Sequence, residues 1–177
     1  MSLGKWVGIG AGWFFGGPIG AIIGYYIGKN FFNGKNDNEK AYEISLLILA
    51  SLVIKADGRV KKEELNYVKE FFTRTFGQVK SKKYFEIFNK LNKQSFESKL
   101  RAICLQLTQS INHASRLQII HFLFGVALSD NEVHQQEINL INKIATYLNV
   151  SPQDFKSISA MFIKSDNLIE KYYEILE

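Results

Sequence analysis

The apolar positions of this 177-residue chain follow two patterns. The stretch Trp6–Gly28 contains no charged residue, and a glycine recurs there at every fourth position. Beyond residue 40 apolar residues recur every three or four positions, which is the spacing of helices that bury one face. A polar joint, NGKNDNEK at residues 33–40, separates the two regions. The pattern predicts a short amino-terminal segment followed by a helical body.

The body is predicted to be all-α, a bundle of about seven helices. Asp37 or Asn38 is placed to cap the first helix, which carries Ile44, Leu47, Ile48 and Leu52. Further helices are predicted over residues 61–76, 81–92, 95–111, 114–129, 133–148 and 152–164. Gly77 is a typical helix stop, and Ser151 before Pro152 is a typical start. No stretch alternates in the way that a β-strand requires.

The glycine-rich segment has the length of a membrane span. As a helix, Trp6–Gly28 is about 34 Å long, enough to cross a hydrocarbon core of about 30 Å. Glycine costs about 1 kcal/mol per position in a helix in water, but in lipid a helix keeps its own hydrogen bonds. Regularly spaced glycines let two helix backbones approach closely. We therefore predict a transmembrane helix that pairs as a homodimer through a stripe formed by Gly8, Gly12, Gly16, Gly20 and Gly24.

Two other interpretations of this segment stay open: a soluble glycine-rich arm, or two half-helices broken at residues 16–18. A cleaved signal peptide is excluded, because the run is too long and no small-residue cleavage site follows it. Lysines follow the run at positions 29, 35 and 40, whereas only Lys5 and the amino terminus precede it. This bias predicts a single pass with most of the chain in the cytoplasm.

Charge is unevenly distributed around a net value of +5. Residues 59–101 carry twelve basic and five acidic residues, whereas residues 117–177 carry four basic and eight acidic ones. No nucleic-acid motif accompanies the basic part, so no nucleic-acid partner is predicted. The single cysteine, Cys104, lies in an apolar helical run and is predicted to be a buried small residue in a reducing compartment.

Two segments of the body repeat each other: KADGRVKKEELNYVKEFF at residues 55–72 and LSDNEVHQQEINLINKIA at residues 128–145. The aligned pairs are Asp57 with Asp130, Gly58 with Asn131, Val60 with Val133, and Glu64 with Glu137. Gly58 and Asn131 are the residue types that best tolerate a left-handed turn. The repeat predicts two equivalent helix pairs, residues 38–76 and 114–148, that face each other.

The four repeated acids form the best candidate site, and two interpretations of them stay open. If the turns meet, Asp57, Glu64, Asp130 and Glu137 could hold one divalent cation, Ca²⁺ or Mg²⁺, through oxygen ligands. Alternatively, the aspartates cap helices that start at residues 60 and 133, and the glutamates complete the first turns. A standard EF-hand is excluded, since Val53 and Lys55 would occupy its leading ligand positions.

Other reactive side chains point to no chemistry. His113, His121 and His134 lack metal-ligand spacing, and His121 is predicted to lie in the core. His134 adjoins the second turn and could join the acids. A lone Cys104 with distant histidines does not indicate a nucleophile, and no phosphate-binding loop or serine elbow is present. We predict no catalytic residue and no enzymatic activity; a helical hydrolase would have only the acidic tetrad in its favour.

Three stretches carry a family resemblance: ADGRVKKEE at 56–64, SDNEVHQQE at 129–137 and LNVSPQDF at 148–155. With the glycine-rich span they resemble the membrane-anchored DnaJ-like co-chaperones of the DjlA type, whose central region is a TerB-like (tellurite-resistance-type) helical domain. The resemblance implies a bacterial inner-membrane protein that binds protein partners and a divalent ion. The domains it implies are 1–33 for the transmembrane segment, 34–40 for the linker, 41–165 for the TerB-like domain and 166–177 for a tail.

The chain departs from this family at its end. Family members carry a J domain with a His-Pro-Asp loop, and that tripeptide does not occur here. Residues 172–176, YYEIL, resemble the opening of a J domain, so we expect the 177 residues to stop where it would begin. An Hsp70-type chaperone is then a partner only if a J domain follows. The alternative is a stand-alone TerB-like metal-binding or stress-response protein.

Overall fold

A computed structural model describes residues 19–21, 37–91, 96–132 and 134–162. These residues contain seven longer α-helices and a 3₁₀ turn at Glu97–Lys99, and none of them forms a strand. The helices are α1 (Asp37–Ile54), α2 (Lys62–Phe76), α3 (Gln78–Leu91), α4 (Leu100–Ser110), α5 (His113–Ala127), α6 (Gln135–Tyr147) and α7 (Pro152–Phe162). The predicted all-α body is confirmed.

Two helices form the centre of the body. Every residue of α1 from Glu43 to Ile54 is buried, and α1 contacts each helix from α2 to α6. In α5 every residue from Phe122 to Ala127 is buried, and this helix contacts α1, α2, α6 and α7. A helix that is apolar on all sides is stable only when it is surrounded. The contact between α1 and α5 therefore joins the two repeated helix pairs through the core, as predicted.

Aromatic side chains connect the outer helices to this centre. Phe72 of α2 is buried, and its ring lies 6.4 Å from the ring of Phe122 on α5 and 5.8 Å from that of Tyr84 on α3. Phe71 lies still closer to Phe122, with 4.2 Å between ring centres. Such pairs add to the stability that apolar burial supplies. Helix α2 is thereby fixed against both α5 and α3.

Two helix ends lie where the local sequence predicts them. Gly77 ends α2 with φ +82°, and the N–H of Asp154 donates to Oγ of Ser151 at 3.1 Å, as a cap of α7 requires. Other boundaries differ: α3 begins at Gln78 rather than 81, and α4 begins at Leu100 after the 3₁₀ turn.

Two predictions concerned single residues of the body. Cys104 is fully buried on α4, as expected. The prediction that His121 lies in the core is wrong, because its side chain is exposed on α5, with the ring 4.7 Å from that of Phe162.

Most of the predicted membrane segment lies outside the described residues. Within the described ranges, no helix combines the length and the apolar character that a bilayer crossing requires. Ile19 is described and is buried, and its N–H donates to Oε1 of Gln106 on α4 at 2.9 Å. This residue of the glycine-rich run therefore packs against the body in this conformation.

Candidate functional site

The two repeated turns have the backbone that their sequences predict. Gly58 adopts φ +80° and Asn131 adopts φ +62°, which is the left-handed region that these two residue types tolerate best. Oδ1 of Asp57 accepts a hydrogen bond from the N–H of Arg59 at 2.8 Å, and Oδ1 of Asp130 accepts one from the N–H of Glu132 at 3.0 Å. Each aspartate thus closes its own turn two residues further on.

This geometry corrects the capping interpretation of the aspartates. Helix α2 begins at Lys62 and α6 at Gln135, so the residues at the cap positions are Lys61 and His134. The predicted helix starts at 60 and 133 are each two residues early. Glu64 does complete its first turn, since its Oε2 accepts from the N–H of Lys61 at 2.9 Å.

The turns of the two repeats meet at His134. Nδ1 of His134 lies 3.9 Å from Oδ2 of Asp57, and Nε2 of the same ring lies 4.0 Å from Oδ2 of Asp130. Both aspartate side chains are nearly excluded from solvent. The structure therefore places the two predicted aspartates on either side of one imidazole ring.

The two predicted glutamates lie deeper than the aspartates. Glu64 is 2% exposed and Glu137 is 0% exposed, and they occupy equivalent positions in the first turns of α2 and α6. No N–H or hydroxyl donor among the described residues reaches either carboxyl oxygen of Glu137, and its polar neighbour is the carboxyl of Glu64. Glu43, another fully buried glutamate, shows the contrast, because it accepts hydrogen bonds from the hydroxyl of Tyr84 and from Nζ of Lys80.

Burial and negative neighbours together favour the neutral form of Glu137. Loss of solvent is the largest cause, followed by the carboxyl of Glu64 and the charges of Asp57 and Asp130, and these raise the pKa of Glu137 to about 9. The pKa of Glu64 is also raised, mainly by burial, although the hydrogen bond from the Lys61 N–H opposes this. One proton between the two carboxyls would let Glu137 donate to Glu64.

The outer edge of the cluster is organised by a cation. Nζ of Lys61 donates to Oδ2 of Asp130 and, at 2.8 Å, to Oε2 of Glu132, and it lies 2.7 Å from Nε2 of His134. Burial alone would raise the pKa of Asp130, but the Lys61 hydrogen bond and backbone N–H donors outweigh it, so that pKa lies below its ordinary value.

Sequence reasoning missed two residues of this edge, Lys61 and Glu132. Ligand atoms of Asp130, Glu132 and His134 all lie within 4.8 Å of one another, so these three side chains could also hold a metal ion. The repeat alignment contained the missing signal, because it places Lys61 opposite His134. Lys61 and His134 each lie three residues before a buried glutamate. These two equivalent positions are where the repeats meet.

The structure does not bring the four predicted acids together as one ligand set. Hard cations such as Ca²⁺ and Mg²⁺ take oxygen ligands, and among the described residues the ligand atoms that converge within 4.8 Å belong to Asp130, Glu132 and His134. A buried carboxylate without a donor is costly unless it is protonated or paired with a cation. A proton shared with Glu64 and a bound cation are the two arrangements that would each account for the buried carboxyl of Glu137.

Comparison with known families agrees with this architecture. The family model "Tellurite resistance protein TerB" matches residues 43–160. The chain belongs to the TerB family. The model "Co-chaperone DjlA transmembrane domain" matches residues 1–37. No curated protein and no solved structure matches the chain.

The two matches cover different parts of the chain. The TerB match extends from α1 into α7 and contains both turns of the cluster, and the DjlA match contains the glycine-rich run. The resemblance to DjlA-type proteins with a TerB domain is thereby confirmed. The protein is a membrane-anchored TerB-like protein.

Proposed function

We propose that this TerB protein is a non-catalytic scaffold of the DnaJ-like co-chaperone type whose body holds a divalent cation between its two repeats. The observation that supports this best is Glu137, a fully buried carboxyl that no N–H or hydroxyl donor reaches among the described residues and that has the acids Glu64, Asp57 and Asp130 as its charged neighbours. Capping does not account for this carboxyl, because Glu137, unlike the equivalent Glu64, accepts no N–H from the start of its own helix. The cation gives that carboxyl a role.

The four acids come from both halves of the molecule, and this determines what an ion would do. Asp57 and Glu64 belong to the first helix pair, and Asp130 and Glu137 belong to the second. An ion bound by both sets would neutralise carboxylates that otherwise repel one another and would hold α2 and α6 together. Its role would thus be structural, fixing the surface that the body offers to protein partners.

Calorimetric titration tests the ion site. We expect the full chain in detergent micelles to release or absorb heat with Ca²⁺ or Mg²⁺ at millimolar concentration or below. The double variant Asp57→Asn/Asp130→Asn should bind at least about tenfold more weakly, because it removes one charged ligand from each repeat. The control Glu63→Gln changes an exposed glutamate of the same helix and should bind like the original. No heat with either ion would contradict the proposal.

The membrane part of the proposal concerns self-association. The glycines at every fourth position lie within the segment matched by the DjlA transmembrane model. In a bilayer such a stripe brings two helix backbones close, and lipid cannot replace that packing. Insertion would also require the contact of Ile19 with Gln106 to open, because this residue cannot lie both in the bilayer and against α4.

A triple leucine variant tests the stripe. Replacing Gly12, Gly16 and Gly20 with leucine should lower the crosslinked dimer yield in membranes several-fold, because the larger side chains separate the helices. Membrane insertion should persist, since leucine is more apolar than glycine. Ile22→Leu, outside the stripe, is the control. An unchanged dimer yield in the triple variant would show that the stripe is not the interface.

The second candidate is a stand-alone TerB-like metal-binding or stress-response protein, which the TerB match favours by its printed description. The coding sequence after Glu177 separates the two. A J domain continuing in frame would support the co-chaperone proposal and would make an Hsp70-type chaperone a partner.

A further inference from the structure

At the outer edge of the acidic cluster, the ammonium of Lys61 lies where a cation would bind. Nζ of Lys61 contacts Asp130, Glu132 and His134, which are the three residues whose ligand atoms converge at the outer edge of the cluster. An ammonium held by two carboxylates and a ring nitrogen occupies the place of a small cation. Asp130 belongs both to this trio and to the predicted tetrad, so an ion that uses Asp130 meets Lys61 first.

The side-chain contacts at the junction are asymmetric, although the two repeats correspond in sequence. Lys61 and His134 occupy the same cap position in their respective repeats, and their side chains touch across the junction at 2.7 Å. Only the first repeat supplies a permanently charged group there. On the inner side no donor reaches Glu137, so the ammonium compensates the outer carboxylates and does not reach this inner one.

We propose that Lys61 is a tethered counter-ion that competes with the divalent cation for Asp130, Glu132 and His134. The inference rests on the proposed function, since it assumes that the cluster accepts a divalent ion. Binding then requires the lysine side chain to swing out, which its 21% exposed side chain on an open edge permits. Lys61 thereby sets the affinity of the site for the divalent ion. In the ion-free protein the carboxylates are paired with the Lys61 ammonium, and the ion binds only at concentrations high enough to displace that ammonium.

The long stem of lysine suits this role. A flexible four-carbon chain lets the ammonium leave without any backbone movement, and the carboxylates it leaves are then free to bind the ion. A positive charge remaining close to a bound divalent ion would repel it, which is why removing the charge should strengthen binding. The side chain of Glu132 is 65% exposed and is therefore free to move with the Lys61 ammonium or to contact a bound divalent ion.

The test compares Ca²⁺ binding by the full chain in detergent micelles for the original protein, Lys61→Met and Lys61→Arg. Met keeps most of the stem and removes the charge; Arg keeps the charge. We expect Lys61→Met to bind Ca²⁺ about tenfold or more tightly than the original, and Lys61→Arg to bind within about threefold of it. Lys61→Gln, a neutral polar variant, should behave like Lys61→Met and guards against a folding defect specific to methionine.

A second readout follows from the same exchange. In a chelator Lys61→Met should unfold at a lower temperature than the original, because Asp130 and Glu132 lose their counter-ion, and added Ca²⁺ should restore more stability to this variant than to the original. Equal affinity in the original and Lys61→Met would overturn the competition and leave the ion site standing. Weaker binding by Lys61→Met would also overturn it. No binding by any variant would overturn the competition and the ion site together.

Discussion

Replacing Phe72 with alanine should lower the free energy of unfolding by about 3–5 kcal/mol, the usual cost of truncating a buried phenylalanine. The side chain is buried, and its ring packs against those of Phe76, Tyr84 and Phe122, which lie on α2, α3 and α5. A cavity at this point would loosen three helices at once. Chemical denaturation of the full chain in detergent, followed by circular dichroism, measures the effect.

Two variants bracket this result. Phe72→Leu keeps most of the buried apolar volume and should lose less than half as much stability as Phe72→Ala. Val79→Ala removes methyl groups from a side chain that is 88% exposed and should change stability by no more than about 0.5 kcal/mol. A loss of under 1 kcal/mol for Phe72→Ala would show that the three rings do not form a shared core.

Features of the fold that depend on nearby residues could be predicted from the sequence. The left-handed turns at Gly58 and Asn131 and the cap at Ser151 depend on a few neighbouring residues, and the structure shows them as expected. The facing of the repeats also followed, because two similar segments that bury similar faces pack in similar ways. The all-α class followed from the periodicity of the apolar residues.

Features that depend on long-range packing were less accessible. The aspartates of the turns were expected to cap helices at residues 60 and 133, but each bonds to its own turn and the helix begins later. His121 sits in an apolar run and still faces outward, because it lies on the same side of α5 as the exposed Ala114 and Gln118.

The chemistry of the site was predictable only in part. The sequence indicated four acids at repeated positions, and the structure brings the two turns together beside His134. It did not indicate that Lys61 would reach across 69 positions of sequence to Asp130, since a surface lysine normally points into solvent. Nor did it indicate that Glu137 would lack a donor, which depends on how α6 packs against α1, α4 and α5.

Replacing Glu137 with glutamine should stabilise the ion-free protein near neutral pH and weaken its response to the ion. In the folded state burial raises the pKa of Glu137 from its ordinary value of 4.5 to about 9. Below pH 4.5 the carboxyl is neutral in both states and burial carries no charge penalty. Between pH 4.5 and 9 the unfolded state loses the proton that the folded state keeps, so stability falls as pH rises.

Glutamine has no proton to lose, and its amide can donate to Glu64. The variant should therefore gain about 2–3 kcal/mol near pH 7 in chelator, a rise in unfolding midpoint of about 5–10 °C, and should gain almost nothing at pH 4. Thermal unfolding of the full chain from pH 4 to 9 measures this difference.

The prediction is checked against the control variant Glu63→Gln and by adding Ca²⁺. Glu63→Gln, at an exposed position in the first turn of α2, should show the same pH profile as the original protein, apart from a small loss of charge at the helix start. Under the proposed function added Ca²⁺ should stabilise the original and Glu63→Gln more than Glu137→Gln, which lacks one of the proposed carboxylate ligands. If the stability difference between Glu137→Gln and the original is the same at pH 7 as at pH 4, the charge of the Glu137 carboxyl is compensated in solution. A Glu137→Gln variant that gains as much stability from Ca²⁺ as the original would show that the ion binds without Glu137, at the outer trio of Asp130, Glu132 and His134.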